Sequence, residues 1–300
     1  MRPLDGRVVL VTGGGRGLGR AHCLELAARG AAVVVNDPGV GRDGSGGADG
    51  PAADVVAEIE RSGGAAVAHT GSVTSWDDVA DMIETAVSTF GTLSGVVNNA
   101  GIVRDAMITS ATEADWDAVI AVHLKGTFAV TKHACDYWRA EAKSGNPVDA
   151  RIVNTTSGAG LWGNIGQSAY SAAKAAIANL TTVTAMEMRR YGVAVNAISP
   201  IAATRMSAEM FADRATDPAI DPARSSGVVA WLQSPEAAWL TGQILRVDGH
   251  KLIRIDGFSE APRRYHARDG ASLDFSEVGQ AVSWLWNALP RGLAGPLPTG

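Results

Sequence analysis

Three hundred residues, set against a usual domain length of roughly 150, suggest two domains, although α/β folds routinely run to about 250 residues as one. With 46% hydrophobic and 19% charged residues, the chain has the apolar material for a large core and lacks the charge-rich signature of disorder. Its 26 basic against 31 acidic side chains, a net charge of -5, offer no basic field for a phosphate backbone, which argues against nucleic acid as a partner.

Along the chain, short β-branched runs occur at 8–11, 32–35, 65–68, 95–97, 152–153, 193–195 and 244–247. Longer stretches with helical periodicity separate them, notably 115–137 and 169–185. Strand-helix alternation of this kind means βαβ crossovers, helices on both faces of a parallel sheet, and strands that read as continuously apolar. The fold class expected is therefore α/β: a doubly wound parallel sheet through about residue 250, followed by an extension of roughly fifty residues. That extension, residues 251–300, carries one predicted helix near 276–289 with Trp284 and Trp286, and is expected to pack on its own domain or on a neighbouring subunit. The glycine-rich stretch 39–50 reads as a flexible loop, placed to act as a lid.

No apolar run approaches the 18 or so residues needed to cross a bilayer, and no signal-like segment precedes the first strand. Cys23 and Cys135 are too few for a disulfide framework and fall in apolar helical patterns, which fits a reducing, cytoplasmic setting. The six histidines show no metal-ligand spacing, so no metal is expected.

Thr12-Gly13-Gly14-Gly15-Arg16-Gly17-Leu18-Gly19 follows the first strand and opens a helix. Its glycines let backbone turn sharply and approach a ligand, and the helix start aims unpaired N–H groups at phosphate. The second strand ends at Asn36-Asp37, about twenty residues on, where a carboxylate can accept both ribose hydroxyls of NAD and repel a 2′-phosphate. NAD is therefore preferred over NADP as the expected cofactor.

Tyr170 and Lys174 stand at i and i+4, on one face of a helix. A nearby ammonium favours phenolate, and the pairing predicts a tyrosine whose pKa falls toward the working pH. Ser157, at the end of the run 152–156, can return beside that helix and fix a substrate oxygen.

Taken together, Thr12 to Gly19, Asn98-Asn99-Ala100-Gly101, Ser157 and Tyr170-x-x-x-Lys174 resemble the short-chain dehydrogenase/reductase family in order and spacing, over residues 5 to about 250. The resemblance implies that Tyr170 is the general acid/base, that Ser157 orients the carbonyl or hydroxyl, and that Lys174 binds the nicotinamide ribose. It places Asn99, Ala100 and Gly101 against the cofactor, and Ser72-Val73 where many relatives contact adenine with Asp-Val. Two departures stand out. His123, in Val122-His123-Leu124-Lys125-Gly126, replaces a catalytic asparagine. Pro200-Ile201-Ala202-Ala203-Thr204 replaces a Pro-Gly-threonine grip on the nicotinamide amide, leaving Pro200 and Thr204 as the candidates.

The details narrow the resemblance to the (3R)-hydroxyacyl-CoA dehydrogenase module of peroxisomal multifunctional β-oxidation enzymes and their bacterial relatives. The implied activity is NAD-dependent oxidation of a 3-hydroxyacyl thioester, in a homodimer or homotetramer. Two other readings stay open. A steroid or other bulky alcohol would suit a wide pocket lined by Trp162, Met206, Met210 and Trp231, and a nicotinamide-binding regulatory protein would lack turnover altogether.

Overall fold

The computed structural model describes residues 2–46, 50–202 and 217–257, with six further positions at 266, 278, 281, 282, 284 and 285. Its parallel strands are β1 (Val8–Thr12), β2 (Ala32–Asn36), β3 (Ala65–His69), β4 (Gly95–Asn98), β5 (Ala150–Thr155), β6 (Val193–Pro200) and β7 (Ile244–Asp248). An eighth, β8 (Lys251–Ile255), pairs antiparallel with β7, and the sheet runs β3-β2-β1-β4-β5-β6-β7-β8.

Alternation within the buried strands supplies both layers of core. Val8 and Leu10 join Val34, Val96, Ile152, Val193 and Val195 on the face covered by α3 (Trp76–Phe90), α5 (Gly126–Lys143) and α7 (Ser168–Met188). Val9 and Val11 join Val33, Val35, Val97, Val153 and Ile198 under α1 (Gly17–Ala28), α2 (Gly50–Arg61) and α8 (Ala223–Leu232). This two-sided burial is why the strands read as unbroken apolar runs. It makes the domain a doubly wound, Rossmann-type α/β fold.

Local signals set the helix ends. Ser75 caps α3 by accepting the Asp78 amide at 3.2 Å, and Gly91, at φ 81, ends it in the left-handed region. A reciprocal Thr112–Asp115 capping box starts α4 (Glu113–Ile120).

Two elements differ from expectation. The helical run read as continuous over 115–137 is interrupted by a π turn at Ala121–Lys125 between α4 and α5. The sheet also continues past residue 250, because the chain reverses at Gly249 (φ 59) and adds β8. Lys251 and Arg254 on this largely exposed edge strand break the apolar signature, and they also discourage edge-to-edge pairing.

The chain divides into two compact units, residues 1–255 and 256–300. The described residues of the helix expected at 276–289 are helical, and Trp286 lies outside them. Cys23 is buried and Cys135 partly so, and both thiols are free, with burial pushing the second up to about 12. Among the described residues, no helix is long and apolar enough to cross a membrane, and no cluster of His, Cys, Asp and Glu is placed to hold a metal ion.

Candidate active site

Neighbouring β1 and β4 leave the sheet in opposite directions, which opens a crevice at their carboxyl ends. Thr12 ties the two strand ends together. Its hydroxyl accepts the amides of Asn99 and Ala100, both at 3.1 Å, while Asn99 Nδ2 donates to the carbonyls of Thr12 (3.0 Å) and Gly13 (3.1 Å). Beneath them Asn98 donates to Asn154 Oδ1 at 2.9 Å and Thr131 Oγ1 at 3.1 Å, which stitches β4 to β5 and α5.

The glycine-rich turn is shaped by what surrounds it. A Cβ on Gly13 would lie 2.9 Å from the Ala100 Cα, and one on Gly15 would lie 2.6 Å from Pro51 Cβ and 2.8 Å from Asp37 Oδ2. A Cβ on Gly19, just behind the cavity wall, would strike the Gly13 carbonyl. At the start of α1 the N-cap residue Arg16 makes no side-chain capping bond, and the first turn carries no acid. Its amides and positive dipole end are therefore left for an anion. Arg16 itself donates to the Val40 carbonyl at 3.1 Å.

At the end of β2, buried Asp37 accepts the Gly15 amide at Oδ2 (2.9 Å) and the Gly39 amide at Oδ1 (2.8 Å). Each oxygen keeps acceptor capacity toward the cavity. The insert expected as a lid is fastened over this end. Val103 donates to the Arg42 carbonyl at 2.9 Å and Arg104 to that of Asp43 at 3.0 Å.

Ser157, Tyr170 and Lys174 come from two helices held in contact. Ser157 caps the short α6 (Gly158–Trp162) by accepting the Ala159 amide at 3.2 Å. Thr156 donates to the Lys174 carbonyl at 2.7 Å, and a Cβ on Gly160 would come within 2.6 Å of the Lys174 backbone. These close approaches dock α6 onto α7 and bring Ser157 near Tyr170, whose phenol pKa it lowers. Lys174 Nζ donates to the Thr155 carbonyl at 2.7 Å and lies 5.7 Å from the Tyr170 ring centre.

The electrostatics run against the simple expectation for this pair. Burial raises the Tyr170 pKa, Ser157 pulls it back only in part, and Asp105 raises it further. Lys174 is itself pushed down to about 7 by burial, so its own ammonium is disfavoured in place.

All three residues line one cavity of about 1060 Å³ that extends from Gly13, Arg16, Gly17, Leu18 and Asp37 to Trp162 and Arg246. Ser72, Val73, Asn99, Ala100, Gly101, His123 and Pro200 lie along it. The volume exceeds what a single drug-sized ligand needs. The glycine cradle, the carboxylate at one end and the lysine–tyrosine pair at the other fit an extended dinucleotide with room beside it for a substrate.

Residues 7–215 match the short chain dehydrogenase family. The chain belongs to that family. It is 43% identical over 92% of its length to the hydroxyacyl-CoA dehydrogenase ChsB1 of Mycobacterium tuberculosis, covering 87% of that protein. It is also 42% identical to the peroxisomal multifunctional enzyme type 2 of Mus musculus over 76% of this chain, which spans 30% of that longer protein. A short chain dehydrogenase from Mycobacterium avium superimposes with a TM-score of 0.84 at 50% identity, covering 96% of this chain and 98% of the other. The protein is thus an oxidoreductase that acts on CH–OH groups with a nicotinamide cofactor.

In this short-chain dehydrogenase the π turn of the α4–α5 region carries His123, fully buried. Its Nε2 lies 2.8 Å from the Ile102 carbonyl and 3.1 Å from the Ile102 amide, and the shorter contact places the proton on Nε2. Nδ1 is then a bare acceptor without a partner. The ring meets Tyr170 edge-on, with centres 5.1 Å apart and planes at 90°, and it fills the space a Gly101 side chain would need. Burial, with help from Lys174, depresses its pKa to about 3. His123 therefore buttresses the tyrosine and the 98–102 turn as a neutral ring.

Ser72 and Val73 line the cavity as expected, but the Ser72 hydroxyl is already paired with Thr74 Oγ1 at 2.8 Å, and Val73 packs into the core against Gly126. Thr204, Met206 and Met210 lie outside the described residues. Trp162 lines the cavity, whereas Trp231 is elsewhere, on α8, donating to Glu236 at 3.3 Å. Sequence reasoning missed Ile102 and Arg246. Ile102 sits one residue beyond the recognisable motif, and Arg246 lies in a strand whose only sequence signal was its apolar pattern.

Proposed function

We propose that this dehydrogenase oxidises the 3-hydroxyl of an acyl thioester to the ketone, using NAD. The observation that carries the chemistry is the convergence of Ser157, Tyr170 and Lys174 on one cavity wall. Ser157 would hold the substrate oxygen, and Tyr170, as phenolate, would take the hydroxyl proton onto its phenolic oxygen. Lys174, its Nζ anchored on the Thr155 carbonyl, would hold ribose hydroxyls. A bound nicotinamide ring would supply the acceptor for the carbon-bound hydrogen and its electron pair.

The choice of NAD is supported by Asp37, held by two backbone amides where a 2′-phosphate would meet a fixed negative charge. The thioester substrate is supported by the names of the relatives, one a hydroxyacyl-CoA dehydrogenase. Trp162 and Ile165, exposed at the mouth, favour a second reading, a bulky apolar alcohol such as a steroid.

Because burial holds the Tyr170 phenol protonated at neutral pH, oxidation should rise with pH while the reverse reduction falls. Tyr170→Phe should lower kcat about 100- to 10,000-fold while NADH affinity, read by fluorescence titration, stays near that of the parent. Retained turnover in that variant would refute the assignment. A scan of (3R)-3-hydroxyacyl-CoA chain lengths against steroid alcohols decides between the two substrate readings.

A further inference from the structure

The cavity wall also holds an arginine to which the proposed chemistry assigns no task. Arg246, on β7, projects from the same strand face as buried Ile244 and stacks its guanidinium on the Trp162 ring, 4.8 Å from the ring centre. It forms no ion pair with a described residue. A guanidinium held over an indole still has N–H donors at its edge to bind oxygen.

The position of that donor edge is set by a glycine. A Cβ on Gly158 would lie 3.0 Å from Arg246 Nη1 and 3.4 Å from the Trp162 ring, so the arginine edge abuts the residue that directly follows Ser157. The stack is thus one residue away from the hydroxyl assigned to the substrate oxygen, and both face the same cavity.

We propose that Arg246 is the specificity-determining contact for a second oxygen of the substrate, the thioester carbonyl that stands two carbons from the oxidised centre. The inference deepens the hydroxyacyl reading and rests on it. With the 3-oxygen on Ser157 and Tyr170, a β-oxygenated thioester carries its other oxygen to one side of the reacting carbon, where the guanidinium edge offers a charged donor. A steroid alcohol has no oxygen at that spacing. The Trp162 stack fixes the fork in advance, so little side-chain freedom is lost when substrate binds.

The test compares two ligands on the NADH-bound enzyme. Acetoacetyl-CoA carries both oxygens, and its thioether analogue S-(3-oxobutyl)-CoA keeps the 3-oxygen and lacks the thioester carbonyl. The parent enzyme should favour acetoacetyl-CoA in kcat/KM by about 10- to 100-fold, as expected for a hydrogen bond to a charged group. In Arg246→Met that preference should collapse to within a few-fold, with NADH affinity unchanged as the check on folding. Gly158→Ala, which crowds Nη1 without removing it, should shrink the preference in the same direction.

If the preference survives in Arg246→Met with NADH binding intact, the arginine does not read that oxygen and the proposal is overturned. Failure of the parent enzyme to turn over any acyl thioester would instead remove the hydroxyacyl reading itself, and the proposal with it.

Discussion

Replacing the buried Lys174 with Met should make the ligand-free protein more stable at neutral pH while abolishing its function. Burial lowers the lysine from its ordinary 10.5 to about 7. Between those values the unfolded chain binds a proton that the native state does not hold, so this residue makes stability rise with pH across that window. At about 1.4 kcal/mol per decade, the penalty carried at pH 7 is on the order of 4 kcal/mol. Methionine, of similar length, removes that penalty but forfeits the 2.7 Å bond to the Thr155 carbonyl. Leaving that buried acceptor unpaired costs about 1–3 kcal/mol. The variant should therefore gain roughly 1–3 kcal/mol at pH 7, or about 2–10 °C in Tm for a domain of this size. Near pH 10 the unfolded lysine, at 10.5, is still mostly charged, but the penalty has shrunk to about 1 kcal/mol, no more than the lost bond costs, so the difference should vanish or reverse. Urea and thermal unfolding of both proteins at pH 7 and pH 10 measure this directly. A variant less stable than its parent at pH 7, or a gap equal at the two pH values, would refute the reasoning.

Two other expectations follow from the site. His123→Asn should retain most of its turnover, and the kcat/KM profile of the parent between pH 5 and 8 should carry no ionisation from His123, because protonation of that ring is pushed down to about 3. A collapse of kcat in the variant with NADH affinity intact would show that the ring takes part in proton transfer. Asp37→Ala should narrow the preference for NAD over NADP by about 10- to 100-fold, since it removes both a charge-assisted acceptor and a fixed repulsion. Steady-state kcat/KM with each cofactor reads this out, and comparable efficiency with NADP in the parent would refute the role given to Asp37.

Much of this site was legible in the sequence because the chemistry depends on short spacings within single elements. Tyr170 and Lys174 share a helix face through i,i+4 geometry alone, and the Thr12–Gly19 turn announces itself by following an apolar strand. The pKa direction of Tyr170 was not legible. It depends on how deeply α6 and α7 bury the phenol, a tertiary quantity, and that burial outweighs the lowering influence of Ser157. The π turn at Ala121–Lys125 was equally hidden, because one extra residue per turn leaves the surrounding helical periodicity intact. β8 was hidden for the opposite reason: its exposed edge carries Lys251 and Arg254 where an apolar signature would be sought.

The glycines mark the limit of the sequence most clearly. Their abundance, 35 in 300 residues, invites a reading as turns, and Gly13 and Gly17 do adopt positive φ at 63 and 52. Yet Gly101, Gly158 and Gly160 do not, and they serve by leaving room. Gly101 makes way for the His123 ring, Gly158 for Trp162 and Arg246, and Gly160 for the backbone of Lys174. Each vacancy is paired with a bulky or charged group from another element, and in each case that group borders the reaction cavity. A sequence shows where a side chain is missing, but its partner is supplied only by the packing of sheet and helices. The same logic explains why Arg246 went unnoticed: its counterpart, Gly158, is 88 positions earlier in the chain, and only the docking of α6 beside β7 joins them.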